Sequence, residues 1–421
     1  METNKPANEK TTASPGDSTA PAPGHGPLAG VRILDLTRLY PGPLATMLMA
    51  EMGADVIKIE DRISPDPMRL YPPFIGEESA GYLAVNRSKR SISLKFNEEL
   101  GQEVFFRLAK TADIVVEQFR PGVLSSIGMG YEEAIKANPR IIYLSLTGYG
   151  QKGPYAQKAG HDVNYLGYSG IVSLTGTEKG GQTLPGVQIA DVAGGAYMAV
   201  IAALSALWAR ERSGVGQKVD VSMLDGVLPL ATLQLAHYWA GKENLPPWKL
   251  PLSGGLPFYG VYKCGDGKYL ALGSLEPKFW KQFCELVDKP EWVSRFYAEG
   301  EDGEKLKMEL TRLFRTRRRE EWIKLVGKAD VCLTPVLDLS EIERDAHLKE
   351  RQMVIEQEHP KLGKIKGVAM PIKFSRTVPN PPGLPPALGE HTLEILQELG
   401  YSEKEIRELI RQKAVYIPRG K

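Results

Sequence analysis

Cysteine is scarce: the 421 residues hold three, Cys264, Cys284 and Cys332, far apart and with no CxxC pair. An odd count at that spacing excludes a disulfide framework and supplies no structural zinc set. A reducing, cytoplasmic compartment suits such a chain. Charge of one sign is missing too. The chain carries 53 Lys and Arg against 51 Asp and Glu, a net charge of +2. Nothing here draws the whole molecule to nucleic acid or to an anionic membrane, so any anion binding must be local. No GxGxxG follows the first predicted strand, where the turn is TRLYPGP, and a dinucleotide site lacks its fingerprint. Long apolar runs are limited to VAGGAYMAVIAALSALWA, residues 192–209. Its high Ala and Gly content, and the charges of Asp191, Arg210, Glu211 and Arg212 at its ends, predict a helix buried all round in a large core rather than a membrane span.

The length exceeds one ordinary domain, and two are expected. The first 27 residues are rich in Pro, Ser, Thr, Gly and Ala and poor in large apolar side chains. They bury too little to offset ordering entropy, which predicts a disordered tail with His25 incidental in it. The tail has no apolar signal core, and Glu2, Glu9 and Asp17 argue against a transit peptide.

Beyond the tail, strand and helix patterns alternate. RILDL (32–36) precedes PGPLATMLMAEMG, in which Pro43 suits a first helical turn and Gly53 a C-terminal cap. DVIKIE (55–60), SISLKF (91–96), DIVVEQF (113–119), IIYLSLTGYG (141–150) and KVDVSML (218–224) continue the series. The pattern predicts an α/β fold with an open parallel sheet and ligands at the carboxyl ends of its strands. Composition shifts near residue 240, where ENLPPWKLPLSGG is linker-like. Residues 360–390 are rich in Pro and Gly, and Ser402 with Glu405 forms a capping box near the C-terminus. The expected organisation is a tail at 1–27, a large domain at 28–240, linker and small domain at 241–345, and a return segment at 346–421.

Of six histidines, His161 stands out in AGHDVNYLGYSG, directly after the turn GYGQKGP. On its own such a histidine is more often an ordinary hydrogen-bonded surface or core residue than a catalyst. The stretch LAGVRILDLTRLYPGPLATMLMAEMGADVIKIED, with NRSKRSISL, EQFRPGV, LTGYGQKGPY, AGHDVNYL, SGVGQKVDVSMLDG and GDGKYLALGSLEPKFW, resembles the class III coenzyme A transferase (CaiB/BaiF) superfamily from Leu28 to the C-terminus. His161 in AGHD, Asp191 in IADVAGG and Glu276 in SLEPKF make the likeness greatest to its α-methylacyl-CoA racemase branch.

That resemblance implies a Rossmann-like large domain, a smaller α+β domain and two interlocked chains in a homodimer. It implies an acyl-CoA substrate, 2-methyl-branched or otherwise 2-substituted, and no metal or redox cofactor beyond the CoA moiety of the substrate. Inverting the carbon beside a thioester requires a proton donor and an acceptor on opposite faces. An imidazole titrates near pH 6.5 and serves directly, while a carboxyl near 4 needs burial or a like charge to approach neutrality. The family pattern gives these roles to His161 and Asp191. It has Glu276 orient the imidazole and the Asp162 amide hold the enolate oxygen. It places the CoA nucleotide against Arg62, Arg87, Lys89 and Arg90, with Ser93, Leu94, Lys95 and Phe96 lining the adenosine pocket. Ala159, Gly160 and Asn164 are further CoA-binding positions, and Arg120 is a weaker anion-binding candidate that is equally a structural cap.

Structural readings stand beside each. Asp191 and the Asp162 side chain are also ordinary N-caps, Glu276 complements a helix dipole, and NRSKR is a common solvated turn. Two positions depart from the pattern: Val187 replaces an asparagine before Asp191, and the second phosphate-binding arginine is missing near Ser126. The rival chemistry is CoA transfer between carboxylic acids, with Asp191 as nucleophile through an acyl anhydride and an enzyme thioester. The C-terminal PPALGEHTLEILQELGYSEKEI resembles the transferases more. A third reading is a non-catalytic CoA-binding subunit of a heteromeric transferase.

Overall fold

Six segments of the predicted series become parallel strands: β1 (Arg32–Asp35), β2 (Asp55–Glu60), β3 (Arg90–Leu94), β4 (Ile114–Glu117), β5 (Ile142–Thr147) and β6 (Lys218–Ser222). The structure, a computed structural model, describes residues 25–241 and 243–418, so the predicted tail lies almost wholly outside the described residues. The strands pair in the order β6-β5-β4-β1-β2-β3, and a short antiparallel strand, β10 (Val415–Tyr416), closes the β3 edge. The chain runs outward from β1 through β2 to β3, then returns to place β4 on the other side of β1. That reversal is a topological switch point, where open α/β sheets form their crevice.

Both faces of the central strands are covered, and β4 (IVVE) and β5 (IYLSLT) are buried along their whole length. Ile33, Val56, Ile114 and Leu144 face one core together with Ala45 and Met49 of the helix Pro41–Glu51 (α1). Leu34, Ile57, Ile92 and Val115 face the other, shared with Val104 and Leu108 of the helix Glu99–Thr111 and with Ile395, Leu396 and Ile406 near the C-terminus. The returning chain also bonds the sheet edge. Thr392 Oγ1 accepts the Ser93 N–H at 3.1 Å. Gly53 takes a positive φ of 102° just past α1, as a C-terminal glycine should.

A third core is built on the antiparallel strands β7 (Tyr259–Lys263), β8 (Tyr269–Gly273) and β9 (Leu333–Val336), with Trp280, Phe283, Leu310, Phe314 and Trp322 packed on them. Glu276 precedes the helix Pro277–Leu286 of this unit.

The long apolar segment corrects the sequence expectation. Residues Ala190–Tyr197 form a π-helix that continues as an α-helix, Met198–Ser213, and only 44 % of its most apolar window is buried. Ala199, Ala203 and Leu207 face the core, while Ile201 and Trp208 are 53 % and 66 % exposed. The following helix, Thr232–Gly241, buries no side chain, and its Leu233 and Trp239 are exposed. A helix can be apolar all round because a second surface covers it as well as because a core encloses it.

Candidate active site

The switch point carries the site. Beyond the end of β1, Asp35 Oδ1 accepts the Thr37 N–H at 2.9 Å, and the Lys58 ammonium donates to the Thr37 carbonyl at 2.9 Å. Asp66 accepts the Leu39 N–H at 2.9 Å. These buried charges hold Leu39 at a φ of 65°, a left-handed conformation that a leucine rarely adopts unaided. The bend directs Leu39 and Pro41 into a cleft of about 280 Å³. Its other walls are Gln118 to Pro121 after β4, Thr147 to Tyr149 at the end of β5, and the segment Lys158 to His161. Asp191 and Met223 complete it. Ala159, Gly160, His161 and Asp191 from the sequence reading therefore meet in one place.

His161 enters by local geometry. It is the N-cap of a short helix, Asp162–Tyr168, and its backbone N–H donates to Asn164 Oδ1 at 2.9 Å. Asn164 thus sets the helix start and is not among the residues lining the cleft. Gly160 permits the approach: a Cβ there would lie 2.8 Å from both the Tyr149 hydroxyl and Tyr165 Cε1. The Tyr165 hydroxyl donates to the Gly160 carbonyl at 2.6 Å. His161 is left exposed at the cleft, and no described residue accepts the Asp162 N–H.

Asp191 lies in the first turn of the π-helix, an element that tends to mark functional sites. The wide turn is pressed against a short helix, Met223–Val227; a Cβ on Gly194 would stand 2.4 Å from the Met223 carbonyl. Burial, and then the like charge of Asp162, push the Asp191 carboxyl up to about 7. The Asp162 side chain caps this second helix, since its Oδ1 accepts the N–H of Ala190 at 2.7 Å and of Asp191 at 3.0 Å.

Several expected residues stand elsewhere. Glu276 is exposed at the start of the Pro277–Leu286 helix and does not line the cleft of its own chain. The expected bond from Glu276 to His161 is absent within one chain, because the third core holds that carboxylate on a separate unit. The basic cluster is corrected for a different reason: its charges are already paired. Arg87 is buried against Glu51 at 2.8 Å, and Lys89 is buried against Asp35 at 3.0 Å. Arg90, at the starting end of β3, pairs with Asp55 and Glu398. Ser93 and Leu94 are buried strand residues, and Lys95 pairs with Glu98.

Arg62 and Phe96 do reach the carboxyl ends of the strands. The Arg62 guanidinium stacks 4.4 Å from the Tyr416 ring. Phe96 meets Phe119 edge to face at 6.2 Å, and Arg38 lies 5.1 Å over the Phe119 ring. Arg120 lines the cleft, as does Lys158, whose ammonium sits 4.2 Å over Tyr155. Cations over aromatic faces beside an open crevice can hold a phosphorylated nucleotide. Arg38, Phe119, Lys158 and Gln118 were missed, though TRLYPGP and EQFRPG placed three of them directly after strands. Gln118 Oε1 and Thr147 Oγ1 are buried at the cleft with no hydrogen-bond partner among the described residues, which leaves both available to a polar ligand. Val187 is exposed, and Ser126 Oγ donates to the Val123 carbonyl.

The sequence profile of CoA-transferase family III matches residues 28–392. The chain belongs to this family. It is 34 % identical over 391 residues to succinyl-CoA:glutarate CoA-transferase of Homo sapiens, covering 91 % of this chain and 89 % of that one. It is 32 % identical over 402 residues to the α-methylacyl-CoA racemase of Homo sapiens, covering 92 % and 97 %. A crystal structure of a CaiB/BaiF family protein from Brucella suis superposes with a TM-score of 0.78 at 30 % identity, covering 89 % of this chain and all 100 % of that one. The family holds both transferases and racemases, and this chain is a family III enzyme of that superfamily.

Proposed function

We propose that the protein racemises 2-substituted acyl-CoA thioesters by moving the α-proton between His161 and Asp191 through an enolate. The observation that carries this reading is the pair itself: an exposed imidazole and a carboxyl pushed up to about 7 line the same cleft. A carboxyl near neutrality exchanges protons readily at physiological pH, as an imidazole does. In one direction Asp191 takes the α-proton while His161 returns one to the opposite face; the reverse direction exchanges the roles. The Asp162 N–H is available to the enolate oxygen. Arg62, Arg38 and the Phe96–Phe119 pair receive the CoA nucleotide, with Arg120 and Lys158 toward its phosphates.

The reading includes a homodimer in which Glu276 completes the cleft of the partner chain. Glu276 is exposed on its own chain, and the large apolar side chains Ile201, Trp208, Leu233 and Trp239 are each more than half exposed, as residues awaiting a covering surface are. The second reading is CoA transfer, with Asp191 attacking the thioester carbonyl and CoA leaving as thiolate. The likeness to succinyl-CoA:glutarate CoA-transferase favours it, and it needs no base at His161.

Incubation of a single stereoisomer of a 2-methylacyl-CoA in heavy water, with no acceptor acid, separates the two. Deuterium at the α-carbon with loss of optical purity supports racemisation. Retention of configuration without deuterium, followed by CoA transfer when dicarboxylic acids are added, overturns it in favour of transfer.

A further inference from the structure

Asp162 touches both halves of the catalytic pair. Its backbone follows His161 directly, and its side chain reaches 29 positions along the chain to the Asp191 N–H. One oxygen, Oδ1, takes two N–H groups, those of Ala190 and Asp191, at 2.7 and 3.0 Å. A neutral Ser or Asn caps a helix as well as an aspartate does, so capping alone does not call for a charge here.

We propose that the Asp162 side chain is a positioning residue for Asp191: it ties the His161 turn to the first turn of the π-helix and sets a fixed like charge against the reactive carboxyl. The inference rests on Asp191 being the reactive carboxylate, a point that racemisation and transfer share.

The surroundings of Asp191 isolate this effect. Tyr40, at the start of α1, and Tyr165, on the helix after His161, both feel the Asp191 charge. Their phenols are pushed further up by burial and stay neutral around pH 7. Tyr197, on the π-helix itself, faces Tyr40. Besides Asp162 and Tyr165, the charged or titratable side chains around Asp191 in the cleft are His161, Lys158, Arg120 and Tyr149, whose phenol burial also pushes up. Asp162 is therefore the acidic neighbour that, after burial, holds the Asp191 carboxyl near 7.

The test separates the charge from the cap. Asp162→Asn keeps an oxygen that accepts both N–H groups and removes the charge; Asp162→Ala removes both. The titration of Asp191 is read by carbodiimide labelling across pH, quantified on the peptide that holds it by mass spectrometry. This readout does not depend on turnover. Asp162→Asn is expected to keep its melting temperature and lower the labelling midpoint by about one pH unit or more. The acid limb of kcat should move with it. Asp162→Ala should lower kcat at every pH. An unchanged midpoint in folded Asp162→Asn overturns the charge role, and an unchanged kcat in Asp162→Ala overturns the positioning role. If the wild type catalyses neither exchange nor transfer, the functional reading fails while the labelling midpoint still decides this one.

Discussion

Lys58 and Asp66 form an ion pair of 3.1 Å with both side chains fully buried, next to the strand end that carries the site. The same ammonium holds the Thr37 carbonyl, and the same carboxylate holds the Leu39 N–H. The pair therefore fixes the bend that delivers Leu39 and Pro41 to the cleft. Removing one partner of a buried pair leaves an uncompensated charge. Lys58→Met is expected to cost about 3–5 kcal/mol in urea unfolding, and Lys58→Met with Asp66→Leu should recover part of that loss.

His161 and Asp191 carry distinct predictions. His161→Ala should lower α-proton exchange by about 10²–10⁴-fold while leaving binding of a CoA thioester nearly unchanged, measured by isothermal titration. Full exchange activity in His161→Ala would remove the two-base scheme.

Asp191 also predicts a stability change with a definite sign. Its folded carboxyl titrates at about 7, whereas in the unfolded chain it titrates near the ordinary value of about 3.9. Between those values the folded protein holds a proton that the unfolded chain has released, so stability falls as pH rises through that window. Above it the whole cost is present. Asp191→Asn should raise the melting temperature at pH 8 by more than at pH 4.

The dimer makes a prediction about mixtures. If Glu276 serves the partner's cleft, His161→Ala and Glu276→Ala chains are each impaired alone, yet a heterodimer of the two contains one wild-type site. Co-expression and tandem purification should restore activity toward half of the wild-type value. No recovery in verified heterodimers would place Glu276 outside the mechanism.

Glycine at 194 is required by packing. A Cβ there would meet the Met223 carbonyl at 2.4 Å, and backbone cannot yield as a flexible side chain can. Gly194→Ala should lower both the melting temperature and kcat, because the displaced helix carries Asp191.

The sequence determined the strands and the order in which they appear. DVIKIE is β2 without a change of boundary, and Ser402 caps with Glu405 as its spacing implied. Period and capping are local properties, carried by residues close in the chain. The pairing of AGHD with IADVAGG became legible only through a family resemblance, since no local rule relates positions 161 and 191. Tertiary structure decided the rest. It spent the charges of Arg87, Lys89 and Arg90 on Glu51, Asp35 and Asp55, and turned Ile201 and Trp208 outward. It also brought Asp162 to Asp191. Whether a charge is free, a face covered or a carboxyl neutral depends on what folding places beside it, and sequence spacing does not contain that information.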